Sequence, residues 1–208
     1  MPPIRATIFD LDGTLVDSLP ATVDAFNAVV APFLGTRLTA KEVRGVAGPN
    51  YRKILGNFLP ADRVESGHKQ LLAEVLKKAG DVRVFPGIAP LLDDLQRRGC
   101  RLAIATLRDA ESTSRILQAT GLAARFESVM SGAEAQGKGT GYAVDPEALR
   151  ALAGKLGTAI GQTAYVCDST ADVEAGRKAG LTTAAVCWGY QRREDLALST
   201  PDYLFDPP

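Results

Sequence analysis

Ala6-Thr7-Ile8-Phe9-Asp10-Leu11-Asp12-Gly13-Thr14-Leu15-Val16-Asp17-Ser18 decides how the chain is read. Ala6 to Phe9 is a short apolar run that reads as a buried strand, and it empties into an acidic, glycine-containing turn. The same punctuation returns. Arg101-Leu102-Ala103-Ile104-Ala105 runs into Thr106, Thr163-Ala164-Tyr165-Val166-Cys167 runs into Asp168-Ser169, and Thr182-Thr183-Ala184-Ala185-Val186-Cys187 runs into Trp188-Gly189.

Helical patterns fill the intervals. Residues 88–98 place Ile88, Leu91, Leu92 and Leu95 on one face, with Pro86-Gly87 before them and Gly99 after, so start and stop signals occur together. Helices are also predicted over 112–120, 146–156 and 171–179, followed by Gly121, Gly157 and Gly180. Strands alternating with helices of about ten residues imply βαβ units and a parallel sheet covered on both faces. The fold class is therefore α/β, an open parallel Rossmann-like sheet.

Residues 18–80 break the alternation: 20–31, 39–46, 51–59 and 61–78 all read as helices. An all-helical stretch between the first strand and the rest of the sheet is an inserted cap, leaving 1–17 and 81–208 as the core. The tail over 199–208 reads as an irregular end.

Composition narrows the partners. The 208 residues, 46% hydrophobic and 23% charged, suit one globular domain carrying a modest insertion and exclude disorder and a coiled coil. A chain of this size buries roughly two thirds or more of its unfolded surface and needs no disulfide or structural metal. Lys plus Arg and Asp plus Glu both count 24, without long like-charge blocks, which argues against nucleic acid and anionic membranes and for a small-molecule partner. Cys100, Cys167 and Cys187 are widely spaced in apolar stretches and read as free thiols; with His68 the single histidine, a zinc site is not supported. No secretory leader and no apolar window of membrane-spanning length is evident, so a cytoplasmic setting is expected.

Ligands of open α/β sheets bind at the carboxyl ends of the strands. Asp10, Asp12, Thr106, Asp168 and Asp172 all fall just past predicted strand ends, and they meet if those strands are neighbours. Three or four carboxylates on one rim repel one another unless a cation sits among them. Oxygen donors without thiolate or imidazole select a hard ion, Mg²⁺ by default. Beside such an ion a carboxylate can attack phosphorus, a role that suits Asp10. Asp12 falls on the same side of an extended segment, where it can protonate the leaving oxygen and then activate water. Thr106 and Lys138 can bind the transferring phosphoryl group.

These residues resemble the haloacid dehalogenase-like (HAD) phosphohydrolases. Residues 10–18 are similar to that family's first motif almost letter for letter, Phe85-Pro86-Gly87 with Ala103-Ile104-Ala105-Thr106 resembles the approach to the second, and Cys167-Asp168-Ser169-Thr170-Ala171-Asp172 with Ala179-Gly180 resembles the fourth. The resemblance covers residues 4 to about 190, the cap matching in placement, length and helical character. It implies Asp10 as nucleophile, Asp12 as acid and base, and Thr106 and Lys138 as phosphate binders. Mg²⁺ would be held by Asp10, the backbone carbonyl of Asp12 and Asp168, with Asp172 as a further ligand or support. It also implies a cap that closes over the site and excludes water.

Two departures stand out. Gly139-Thr140-Gly141-Tyr142-Ala143-Val144 separates Lys138 from its helix start at Asp145-Pro146, where the family's third motif is compact; Lys155 and Lys178 are the alternatives. Leu107-Arg108 follows Thr106 where members commonly carry Asn or Ser, and Arg108 can bind an anionic substrate. Asp17 and Ser18 read as turn and cap residues. Arg44, Asn50, Arg52, Lys53 and His68 of the cap are candidates to touch substrate, though charged helical residues read first as a solvated face, and Arg192-Arg193 read as solvated or salt-bridged.

The expected activity is a Mg²⁺-dependent phosphatase acting on a small phosphorylated metabolite, phosphoglycolate or sugar phosphate-like, through an aspartyl-phosphate. The alternatives are an intramolecular sugar phosphomutase and a degenerate phosphate-binding member. A dehalogenase or a phosphonate-cleaving enzyme does not call for Asp12. A two-component receiver domain is shorter and, by resemblance, carries its phosphoacceptor on a mid-chain strand. The sequence leaves monomer and homodimer both open.

Overall fold

The computed structural model describes residues 3–46, 51–137 and 143–206. In chain order the elements begin with β1 (Ala6–Phe9), β2 (Val16–Asp17), α1 (Leu19–Leu34), α2 (Ala40–Val46), α3 (Tyr51–Leu55), α4 (Val64–Lys78) and β3 (Arg83–Val84). Helices and strands then alternate through α5 (Ile88–Arg97), β4 (Arg101–Thr106), α6 (Ala110–Ala119), β5 (Ser128–Ser131), α7 (Gly132–Gln136), α8 (Pro146–Lys155), β6 (Thr163–Cys167), α9 (Thr170–Ala179), β7 (Thr182–Val186), α10 (Arg193–Leu198) and β8 (Tyr203–Phe205). The expected strands are all present, each within a residue of its expected ends.

Six strands form one sheet in the order β5-β4-β1-β6-β7-β8, with every neighbouring pair parallel. From β1 the chain steps outward to β4 and β5, then returns across β1 to β6, β7 and β8. The reversal puts the carboxyl ends of β4, β1 and β6 side by side, the crevice where ligands of open sheets bind.

Side-chain alternation divides the core. Ala6 and Ile8 of β1, Ala103 and Ala105 of β4 and Tyr165 of β6 pack on one face with Leu149 and Leu152 of α8 and Val173 of α9. Phe9, Leu102 and Ile104 pack on the other with Leu92 of α5 and Ile116 of α6. Both faces are covered, so the strands read as continuous apolar runs. Leu91 is an exception to the expected face of α5: it is exposed, while Ile88 and Leu92 carry the contact.

The insertion has a core of its own. Phe26, Val29 and Val30 of α1 pack with Ile54 and Leu55 of α3 and with Leu71 and Val75 of α4. The helix expected over 51–59 stops at Leu55, and the one expected over 61–78 begins as a 3-10 turn, Ala61–Arg63, before α4. The chain enters and leaves this layer through β2 and β3, an antiparallel pair with Val16 opposite Val84 and Asp17 opposite Arg83.

The tail departs from its expected irregularity. β8 adds an edge strand parallel to β7, and Cys187 N–H donates to the Phe205 carbonyl at 2.9 Å. Asp202 secures the approach: its carboxylate accepts both the backbone N–H (2.8 Å) and the hydroxyl (2.9 Å) of buried Thr183. All three cysteines are free; Cys167 is buried, Cys100 and Cys187 are half-buried. Among the described residues no helix is long and apolar enough to cross a membrane.

Candidate active site

Asp10 leaves the end of β1, Thr106 is the last residue of β4, and Asp168 follows β6. Parallel pairing of these strands sets the three positions on one rim, with Asp12 beyond Asp10 and Asp172 in the first turn of α9. All five line a single cavity of about 540 Å³. Thr22 of α1, Tyr51 of α3, and His68 and Leu72 of α4 line it too, so the cavity lies between the sheet rim and the helical layer. Tyr51 is set there by an edge-to-face contact with Phe26, ring centroids 5.7 Å apart.

Lys138 lies outside the described residues. Its two alternatives do not line the cavity: Lys155 pairs with Glu134 at 2.9 Å and Lys178 with Glu174 at 2.7 Å, all on exposed surface. Arg44, Asn50 and Lys53 likewise have side chains outside the description. Arg52 is exposed and pairs with Glu65, as expected of a solvated face. Arg192 and Arg193 are salt-bridged, to Asp195 and Asp206.

The carboxylates are in electrostatic conflict. Burial first, and then the charges of Asp172, Asp168 and Asp12, push the Asp10 carboxyl well above the ordinary range. Burial raises Asp168 to about 7, against a hydrogen bond from Tyr190 N–H at 2.6 Å. Burial raises Asp172 as well, although its oxygens accept from Ser169 Oγ (2.5 Å), Val144 N–H (3.1 Å) and Tyr165 Oη (3.1 Å). Asp168 is also tightly enclosed: a Cβ on Gly13 or on Gly189 would lie 2.1 or 2.2 Å from its Oδ2.

Asp12 differs from the others. Burial raises its affinity for a proton, yet the Arg108 charge with hydrogen bonds from Arg108 and Ser18 outweighs that and holds it below the ordinary range. Arg108 Nε lies 2.9 Å from Oδ2 and Nη2 2.7 Å from Oδ1. Ser18, expected as a cap residue, stands at the N-cap of α1 without capping it; its buried hydroxyl donates to Asp12 and lies 2.5 Å from Tyr190 Oη.

Tyr51 and Tyr190 escape a sequence reading, and His68 stands nearer the site than a solvated face would place it. Tyr190 follows the Trp188-Gly189 turn after β7, and its position past a strand end is the only sign the sequence offers. His68, expected on the surface, is half-buried in the cavity wall, where Nδ1 accepts from Arg52 Nε at 3.2 Å.

A hard cation fits this donor set by its chemistry. Asp10, Asp168 and Asp172 are oxygen donors whose mutual repulsion a cation relieves, while the Cys167 thiol is directed to the Ser169 carbonyl and His68 Nδ1 is taken by Arg52. As the side chains stand, no three acidic, His or Cys groups among the described residues are drawn into a closed metal cluster. The Asp12 carboxylate is occupied by Arg108 and Ser18, which leaves its backbone carbonyl as its donor to such an ion.

A family model described as haloacid dehalogenase-like hydrolase matches residues 7–186. The chain belongs to that family. As a haloacid dehalogenase-like hydrolase it is 32% identical over 209 residues to a phosphoglycolate phosphatase of Synechococcus elongatus, covering 99% of this chain and 94% of the relative. To the plasmid phosphoglycolate phosphatase of Cupriavidus necator it is 34% identical, covering 98% and 90%. A haloacid dehalogenase-like family hydrolase from Streptococcus pneumoniae superposes with a TM-score of 0.83 at 25% identity, covering 98% of this chain and 94% of that one.

Proposed function

We propose that this hydrolase is a Mg²⁺-dependent phosphatase of small phosphorylated metabolites, with phosphoglycolate the leading candidate substrate. The observation that carries the reading is the meeting of Asp10, Asp12, Thr106 and Asp168 on one wall of one cavity. Full-length similarity to phosphoglycolate phosphatases supports the same class of reaction.

Asp10 attacks phosphorus through a carboxylate oxygen, the P–O bond of the ester breaks, and Asp12, once loosened from Arg108 and protonated from solvent, gives that proton to the departing oxygen. Asp12 then takes a proton from water as that water opens the aspartyl-phosphate, returning free Asp10 and inorganic phosphate. Thr106, and by resemblance Lys138, hold the phosphoryl oxygens. Asp10, the Asp12 carbonyl and Asp168 would hold Mg²⁺, with Asp172 in support through its three hydrogen bonds; the ion supplies charge neutralisation for the phosphoryl group.

Residues 18–80 serve as the cap over the core built from 1–17 and 81–208, and Tyr51, His68 and Leu72 in the cavity wall support that division. Closure keeps water from the reacting groups until the alcohol has left. The free thiols support a reducing, cytoplasmic setting.

Phosphate release from a panel of phosphomonoesters tests the reading. Release that requires Mg²⁺, stops with EDTA and disappears in Asp10→Asn is the expected result. Phosphoryl exchange without release would assign a mutase, and no turnover by folded protein would leave a phosphate-binding member.

A further inference from the structure

Arg108 performs no chemical step in the reaction outlined above, yet it is built into the site. Its side chain is 7% exposed and lines the cavity two residues beyond the end of β4. Among the described lining residues it carries the only permanent positive charge, amid Asp10, Asp12, Asp109, Asp168 and Asp172. It grips Asp12 by both oxygens, the two-pronged geometry in which a guanidinium takes a carboxylate.

This contact conflicts with the role of Asp12. With Nη2 and the Ser18 hydroxyl on Oδ1 and Nε on Oδ2, three donors hold the carboxylate as an ionised acceptor rather than as a proton donor to an ester oxygen. Arg108 must let go before proton transfer. A buried guanidinium does not leave its carboxylate for nothing, because the bare charge is strongly disfavoured. It can exchange one anion for another.

We propose that Arg108 is the receptor for a carboxylate on the substrate, and that this carboxylate displaces Asp12 from the guanidinium and so frees Asp12 for catalysis. The proposal rests on the phosphatase reading. Asp12 must reach the ester oxygen, so an anion that takes its place on Arg108 lies close to that oxygen, which selects a short phosphorylated acid over a neutral sugar phosphate. A carboxylate is favoured over a second phosphate because the fork already holds one, and because a dianion would meet more repulsion from the acidic wall. Ser18 stays on Asp12 during the exchange and keeps the freed carboxylate oriented.

The test compares 2-phosphoglycolate with ethyl phosphate, an ester of the same chain length without the acid, in wild type, Arg108→Gln and Arg108→Lys. Wild type should favour phosphoglycolate. In Arg108→Gln the ratio of kcat/KM values should fall about 10- to 100-fold, the range expected for a lost charged hydrogen-bond pair, while kcat for ethyl phosphate rises because Asp12 is no longer held. Arg108→Lys should keep part of the ratio, since it retains the charge without the fork. An equal fall for both esters, or an unchanged ratio, overturns the proposal.

Calorimetric binding separates this claim from the reading beneath it. Asp10→Asn with Mg²⁺ should bind phosphoglycolate more tightly than ethyl phosphate, and adding Arg108→Gln should abolish the difference. If wild type hydrolyses neither ester while that Arg108-dependent preference persists, the phosphatase reading falls and the receptor stands. Equal binding of the two esters by Asp10→Asn overturns the receptor whatever turnover shows.

Discussion

Gly13 and Asp168 approach so closely that a Cβ on Gly13 would lie 2.1 Å from Oδ2 of Asp168, and Gly13 holds φ at +78°. Gly13→Ala therefore combines a strained backbone with a clash against a site carboxylate, and should cost about 1–3 kcal/mol of stability together with most of the phosphatase activity. Gly121→Ala is the control. Gly121 has φ +71° with nothing within 4 Å of the added atom, so it should pay only the conformational penalty of about 1–2 kcal/mol and keep its turnover. Thermal unfolding beside phosphate release separates the two.

Asp10→Asn should be inactive but more stable. The buried carboxyl of Asp10 is crowded by Asp172, Asp168 and Asp12, so an uncharged amide relieves repulsion in metal-free protein. In EDTA at pH 8 the Tm should rise by roughly 2–4 °C, the shift for about 1 kcal/mol in a chain of this size, while phosphate release falls on the order of a thousandfold or more. A lower Tm in EDTA would contradict the crowding.

Stability of metal-free protein should fall as pH rises from about 4 to about 7. Asp168 keeps its proton to about 7 when folded, against an ordinary value of 3.8, so between those values the folded state binds more protons than the unfolded one. Stability then decreases with pH across that window, and raised Asp10 and Asp172 act in the same sense. His68, held low by burial and by Arg52, opposes it near neutrality, so the slope should steepen in His68→Gln. Tm measured in EDTA checks the sign, and Mg²⁺ should flatten the curve by binding the deprotonated carboxylates.

Asp202→Ala should destabilise the far edge of the sheet. It removes the acceptor of the Thr183 N–H and hydroxyl, and buried Thr183 would keep an unpaired donor at a cost of about 1–3 kcal/mol. Activity should change little, because β6 stands between β7 and β1, the strand that leads into Asp10. Urea unfolding with a parallel activity assay reads both.

The acidic rim was legible because it follows from local order alone. A buried run that ends in Asp10, Thr106 or Asp168 places that residue at a strand's carboxyl end wherever the strand lies in the sheet. What that residue touches depends on the fold. The grip of Arg108 on Asp12 joins side chains 96 positions apart, and the Tyr190 hydroxyl reaches Ser18 across 172. Neither pairing has a periodic or compositional trace. β5 reads Ser-Val-Met-Ser and β8 is three residues long after Pro201, so each is too short or too polar to announce itself. Leu91 obeys the helical period and is still exposed, because period defines a face and packing decides its width.

The antiparallel pairing of Val16 with Val84 brings together two points of the chain 68 residues apart. The helical layer therefore hangs from the sheet by both its ends at one place, and β1 need not be disturbed for that layer to be exchanged. A linker or a different helical segment grafted across the same gap would begin after Ser18, whose hydroxyl belongs to the site. In this architecture the acidic rim comes with the sheet, while any replacement for the layer facing it must still keep the Ser18 hydroxyl that donates to Asp12.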